Sequence, residues 1–334
     1  MPKKTNPSAA YDITKVITVI LVVLAHSTRM YTPAGVVALG KTSSLLGFVT
    51  DYIYAFHMPL FMLVSGAVYG LCIQRGKYAK KIPFVANKAK RLLIPYAVFG
   101  LFYVAPVMCL LGLTEQNYLQ YCIYGIGMSM NSRHLWFLLA LFNIFVYAIV
   151  IRGWLLKSHK TRLAVVALSC AIFAVAKYLP GRFQIIEACT YQLYFVLGAC
   201  LHFYYDKISA FAHNIKYLWI VFPVLLAVKF YFGLSFLDFL VDDFVGIWMI
   251  LMAAILLENN EKLRNAKWFR VLKDYSMGIF LFHPMIIYAC YYFFGAWNIP
   301  PVLMSIGIAL LSTLASMLLT WILRKCKLGV VMGE

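Results

Sequence analysis

Residues 12–31 read DITKVITVILVVLAHSTRMY. Between Lys15 and His26 every residue is apolar except Thr18. A helix needs about 20 mainly apolar residues to cross about 30 Å of hydrocarbon, and this stretch supplies them. Lys3 and Lys4 ahead of it give it the look of a secretory leader. No small-residue cleavage site follows, however, and more apolar runs come after it, so it reads as a retained helix.

The same ruler finds ten spans: 12–31, 45–73, 92–112, 134–151, 163–179, 189–205, 217–232, 239–257, 276–294 and 301–323. Composition agrees: 63% of residues are hydrophobic and 13% charged, where a soluble domain has roughly half and a quarter. The expected fold is an all-α polytopic membrane bundle forming a single domain over 1–334, with no soluble accessory domain.

A net charge of +18 could suggest nucleic acid, but the distribution points elsewhere. Of the 30 Lys and Arg residues, 23 fall in segments on the N-terminal side of the membrane and five on the other, with Lys15 and Arg29 inside the first span. This is the positive-inside bias, and it places both termini in the cytoplasm. The basic excess is topology, and no nucleic-acid partner is expected. The eight cysteines show neither C-x-x-C nor Cys/His spacing, so neither a metal site nor a disulfide is expected.

Ionisable groups inside spans are costly and usually face the bundle interior, which makes them the best pointers to function. His26, His57 and His283 lie within spans, and His134 stands at the outer mouth of the fourth. His159, His202 and His213 fall in or near cytoplasmic loops and read as solvated. Lys15 and His26 are 11 residues apart, so they share a helix face about 16 Å apart along the axis. Asp12 is close enough to pair with Lys15. Lys15 also fits a snorkelling anchor, and His26 an interhelical hydrogen bond.

In the second span, FHMPLFMLVSG (56–66), Pro59 frees the carbonyl of Ala55. His57 and Ser65 therefore read as facing a cavity, or Ser65 and Gly66 as small packing contacts. Lys88 and Arg91 share a helix face at the entrance to the third span. With Lys15 they form a candidate phosphate-binding cluster, or a simple cytoplasmic anchor. Trp136 beside His134 fits either a sugar contact or an interfacial belt.

Six pieces occur in order: YDITKVITVILVVLAH, FHMPLFMLVSG, KAKRLLIPY, HLWFLLALF, YFVLGACLHF and YSMGIFLFHP. Together they resemble the acyltransferase-3 family of bacterial integral-membrane acyltransferases, most nearly its sugar O-acetylase (fucose 4-O-acetylase-like) branch. The family's Arg, ten residues, then His pattern is met by Lys15 and His26. Its Arg-x-x-Arg pattern is met by Lys88 and Arg91. Both departures put lysine where arginine is usual, which keeps the charge and loses the planar fork.

The resemblance implies a plasma-membrane enzyme that binds no resident cofactor and takes acetyl-CoA as donor. The acceptor would be a hydroxyl of a cell-surface or cell-wall glycan. Asp12, Lys15, Lys88 and Arg91 would serve the donor, and His26 would be the base or the acyl carrier. His57, Ser65, His134, Trp136 and His283 would serve the acceptor or the cavity. The competing reading is a transporter or flippase for a lipid-linked glycan, with Asp238, Asp242 and Asp243 on an ion path.

Overall fold

The computed structural model describes residues 5–216, 221, 224, 228, 232 and 243–334. Among them there is no strand, and eight helices are long and apolar enough to cross a membrane. The expected spans 217–232 and 239–257 lie partly outside the described residues, and Asp238, Asp242 and the side chain of Asp243 lie outside them.

In chain order the helices are α1 (Pro7–Thr28), α2 (Ser44–Gln74) and α3 (Lys81–Phe99), then α4 (Trp136–Lys157), α5 (His159–Val175) and α6 (Ile185–Phe203). The short α7 (Tyr205–Asn214) follows, and then α8 (Asp243–Leu257), α9 (Lys267–Phe294) and α10 (Pro301–Lys325). α3 runs on through a π-helical turn (Gly100–Val104) to Ala105–Leu110.

Several helices outrun the hydropathy ruler on the cytoplasmic side. α3 begins at Lys81, not residue 92, and α9 at Lys267, not residue 276. The ruler sees only the apolar part, while the helix continues its own hydrogen bonding into the polar boundary. Lys88 and Arg91 therefore sit inside α3 and not ahead of it.

α1 is central, packing against α2, α8, α9 and α10. Its N-terminus is capped by the Asn6 side chain, with Pro7 in the first turn. The buried hydroxyls of Thr14 and Thr18 donate to the carbonyls of Ala10 and Thr14, so α1 meets its neighbours without unpaired polar atoms at those positions. α2 lies closest against α6. A methyl group on Gly66 or Gly198 would overlap the backbone of Phe195 or Leu63, which is the close small-residue approach of membrane helices.

The cationic ends of α1, α3, α9 and α10 gather on one face. There Asp12 pairs with Lys273 at 3.5 Å, and Arg324 bonds the carbonyl of Asp274 and the Glu334 carboxylate. This is the face that the charge bias assigns to the cytoplasm.

Candidate active site

Two cavities with no lining residue in common lie toward opposite faces of the bundle. The larger, about 520 Å³, opens among the segments that the charge bias places outside. Five helices and a loop build it. α1 brings His26 and Arg29; α2 brings Tyr54 and His57, five and two residues ahead of the Pro59 break. The loop before α4 brings Ser129 and Ser132 to His134, and α4 begins with Trp136. α6 brings Glu187 and α9 brings Tyr288.

Hydrogen bonds set the histidine tautomers. A carbonyl can only accept, so His57 Nδ1 donates to Ile53 at 2.9 Å, His283 Nδ1 to Ile279 at 2.7 Å and His134 Nε2 to Leu281 at 3.1 Å. In the neutral rings the other nitrogen is then a bare acceptor. Those of His283 (Nε2) and His134 (Nδ1) are buried with no protein partner.

His26 sits among these rings. Its centroid lies 5.2 Å from that of His283 and 5.9 Å from that of Tyr54. Arg29 Nη1 donates to the Tyr54 hydroxyl oxygen at 3.2 Å, and the same oxygen lies 3.3 Å from His26 Nδ1. A phenol oxygen has two lone pairs, so it can accept from Arg29 and from an Nδ1–H of His26 together. In that tautomer His26 Nε2 carries the lone pair, as a general base requires.

The smaller cavity, about 350 Å³, lies at the cytoplasmic face and is lined by Lys88, Arg91 and Tyr78 among others. The Lys88 ammonium is 3.9 Å from the Phe145 ring centroid, with Tyr78 and Phe84 at 5.4 and 5.6 Å. Such an aromatic enclosure holds a cation away from carboxylates and leaves its charge unneutralised. Partial burial, with a hydrogen bond to Cys72, pushes the Tyr78 phenol up to about 12, so it adds no charge here. Arg91 Nε donates to Gly333 at 3.1 Å. Lys15 lies within electrostatic reach of Arg91, and Arg91 of Lys88.

The structure thus brings His26, His57, His134 and Trp136 to one cavity and Lys88 with Arg91 to another, with Lys15 nearby. His283 packs behind His26 without lining the outer cavity. Three expectations need correction. Asp12 pairs with Lys273 of α9 and not with Lys15, because α9 extends far enough to reach it. Ser65 does not line the outer cavity; it lies on the stretch of α2 that packs closely on α6 beside Gly66. His202 is not solvated: buried at the end of α6, it bonds the Tyr11 hydroxyl at 2.9 Å and Gln74 at 2.7 Å.

Sequence reasoning passed over Arg29, Tyr54, Arg133, Glu187 and Tyr288. A signal existed for two of them. Arg29 follows His26 by three residues and Tyr54 precedes His57 by three, so each shares its histidine's helix face.

A family model described as an acyltransferase domain matches residues 8–325. The chain belongs to the acyltransferase-3 family. It is an acyltransferase of multi-pass helical architecture, from a family that typically acylates carbohydrates. The family assignment decides against the transporter reading. No curated protein matches this acyltransferase, and no solved structure does.

Proposed function

We propose that this acyltransferase moves an acetyl or other short acyl group from acetyl-CoA to a hydroxyl of a cell-surface or cell-wall glycan, or of its lipid-linked precursor, at a bacterial plasma membrane. One observation carries the reading. A single stripe of α1 holds Lys15 beside the cytoplasmic cations and His26 at the wall of the outer cavity. The donor phosphates would rest on Lys15, Lys88 and Arg91, with the thioester directed along α1. The acceptor would enter the outer cavity, against Trp136, His57 and His134.

In the direct version His26 Nε2 takes the hydroxyl proton as that oxygen attacks the thioester carbonyl. The new C–O bond forms, the C–S bond breaks, and the proton passes from the imidazolium to the departing thiolate. In the two-step version His26 is acylated first, releasing the thiol, and the acceptor oxygen then displaces the imidazole. The second version lets the acyl group cross while CoA stays inside.

The test is turnover of labelled acetyl-CoA by protein in nanodiscs, with and without glycan, for wild type and His26→Ala. Turnover lost in the variant, with acetyl-CoA still bound, supports the role of His26. Well-folded wild type that binds no acyl-CoA would sink the proposal.

A further inference from the structure

The outer cavity carries an electrostatic imbalance of its own. Its lining holds two guanidinium groups, Arg29 and Arg133, against one carboxylate, Glu187. Among the described residues neither guanidinium has a carboxylate within ion-pair distance. The Nε of Arg133 and Oε2 of Glu187 are both buried with no hydrogen-bond partner.

Leaving such groups unpaired is expensive in a low-dielectric bundle unless a ligand completes them. Both arginines lie within electrostatic reach of Tyr288, so their charges converge on one part of the wall. Tyr288 is itself buried and lines the cavity.

The backbone supports a built site. Among the described residues six non-glycine positions have positive φ, and Ser129, Arg133, Phe183 and Gln184 are four of them. Gln184 Nε2 donates to the carbonyl and hydroxyl of Ser129 at 2.6 and 2.8 Å, clipping together the two loops that carry these residues. Left-handed backbone is costly at a non-glycine residue and collects where surrounding structure holds side chains for a purpose.

We infer that the acceptor carries an acidic group, a carboxylate or a phosphate, which Arg133 and Arg29 bind while Glu187 accepts from a neighbouring hydroxyl. The inference rests on the acyltransferase reading of this cavity. Two guanidinium forks against one carboxylate leave a single positive charge, which suits a singly charged acid such as a uronic acid. The cavity, at about 520 Å³, lies within the roughly 300–1,000 Å³ typical of small-ligand sites.

Binding separates this inference from the acyl-transfer proposal, because it needs no donor. Methyl β-glucuronide, methyl β-glucoside and the glucoside 6-phosphate are titrated against nanodisc protein by saturation-transfer NMR. The expected result is binding of an acid at least about 30-fold tighter than the glucoside, the factor for one charge-assisted hydrogen bond. Arg133→Gln should erase most of that preference, and Arg133→Lys should restore part of it.

Preference for the glucuronide assigns the charge to a sugar carboxylate, and preference for the phosphate assigns it to a phosphorylated acceptor. Equal binding of acid and glucoside, or no binding of either acid by folded protein, overturns the inference. Acetyl-CoA binding measured on the same sample reports separately on the proposed reaction.

Discussion

Tyr54→Phe removes one oxygen and leaves the ring that packs against His26 and His57 at 5.9 and 4.8 Å. That oxygen is the acceptor for Arg29 Nη1 at 3.2 Å and the neighbour of His26 Nδ1 at 3.3 Å. Without it the imidazole loses the contact that fixes its tautomer and its orientation together. In the Ser-His-Asp triad, damage to the equivalent orienting contact costs about 10⁴ in kcat, but there the partner is a buried carboxylate. A phenol is a weaker acceptor, and its loss leaves buried donors unpaired at about 1–3 kcal/mol. The expected loss is therefore about 10- to 100-fold in kcat, with KM for acetyl-CoA little changed because the donor cluster lies at the other end of α1. The assay is initial-rate transfer of labelled acetyl groups at saturating acceptor, with the melting temperature of each sample as the check on folding. A folded Tyr54→Phe protein with wild-type kcat would refute the reasoning, and a rise in KM alone would show that Tyr54 serves binding and not His26.

The proposed donor cluster predicts a different signature. Arg91→Gln and Lys88→Gln should each weaken acetyl-CoA binding about tenfold, the worth of one phosphate contact, and flatten its salt dependence; an unchanged Kd would clear these residues of the role. Gly66→Ala places a methyl against the Phe195 backbone, and overpacking of this kind costs about 1–3 kcal/mol or more. Gly307→Ala faces open space on α10 and should be neutral or stabilising by up to about 1 kcal/mol. Thermal unfolding in detergent measures both, and equal melting temperatures would contradict the close α2–α6 approach. His202→Leu should destabilise the cytoplasmic end by removing the partner of both Tyr11 and Gln74; a melting temperature at or above that of wild type would mean the network carries no net stability.

Membrane spans were legible because the bilayer imposes its own ruler on composition, and the positive-inside bias needed only a count. The lateral arrangement was not legible. Asp12 pairs with Lys273, 261 residues away in sequence, and no local spacing carries such a contact. His202 misled for a related reason: near a helix end, sequence cannot say whether a neighbouring helix also ends there, and Tyr11 and Gln74 do. Within one helix the spacing was informative. Lys15, Val19, Val22, His26 and Arg29 fall within an arc of about 80° on α1. Arg29 belongs to that stripe as clearly as His26 does, but the sequence reading placed it inside the first span without giving it a role.

That stripe also explains how the two cavities can serve one reaction. They share no lining residue, and the α1 stripe runs from Lys15, within electrostatic reach of Arg91, to His26 in the outer cavity, a rise of roughly 16 Å. The residues between are Val19, Val22 and the internally bonded Thr18, all buried. An apolar, small-residue seam with no unpaired polar atom offers nothing to a hydrated ion or a charged nucleotide. It does offer low-cost contact to a flexible thioester arm once neighbouring side chains yield. Charge is thereby kept at the two ends of α1, cationic on the cytoplasmic side and cationic with acceptor groups on the other, while the imidazole stands at the end of the seam. Under the proposed reaction, the barrier to CoA and the path for its acyl group are the same stretch of helix.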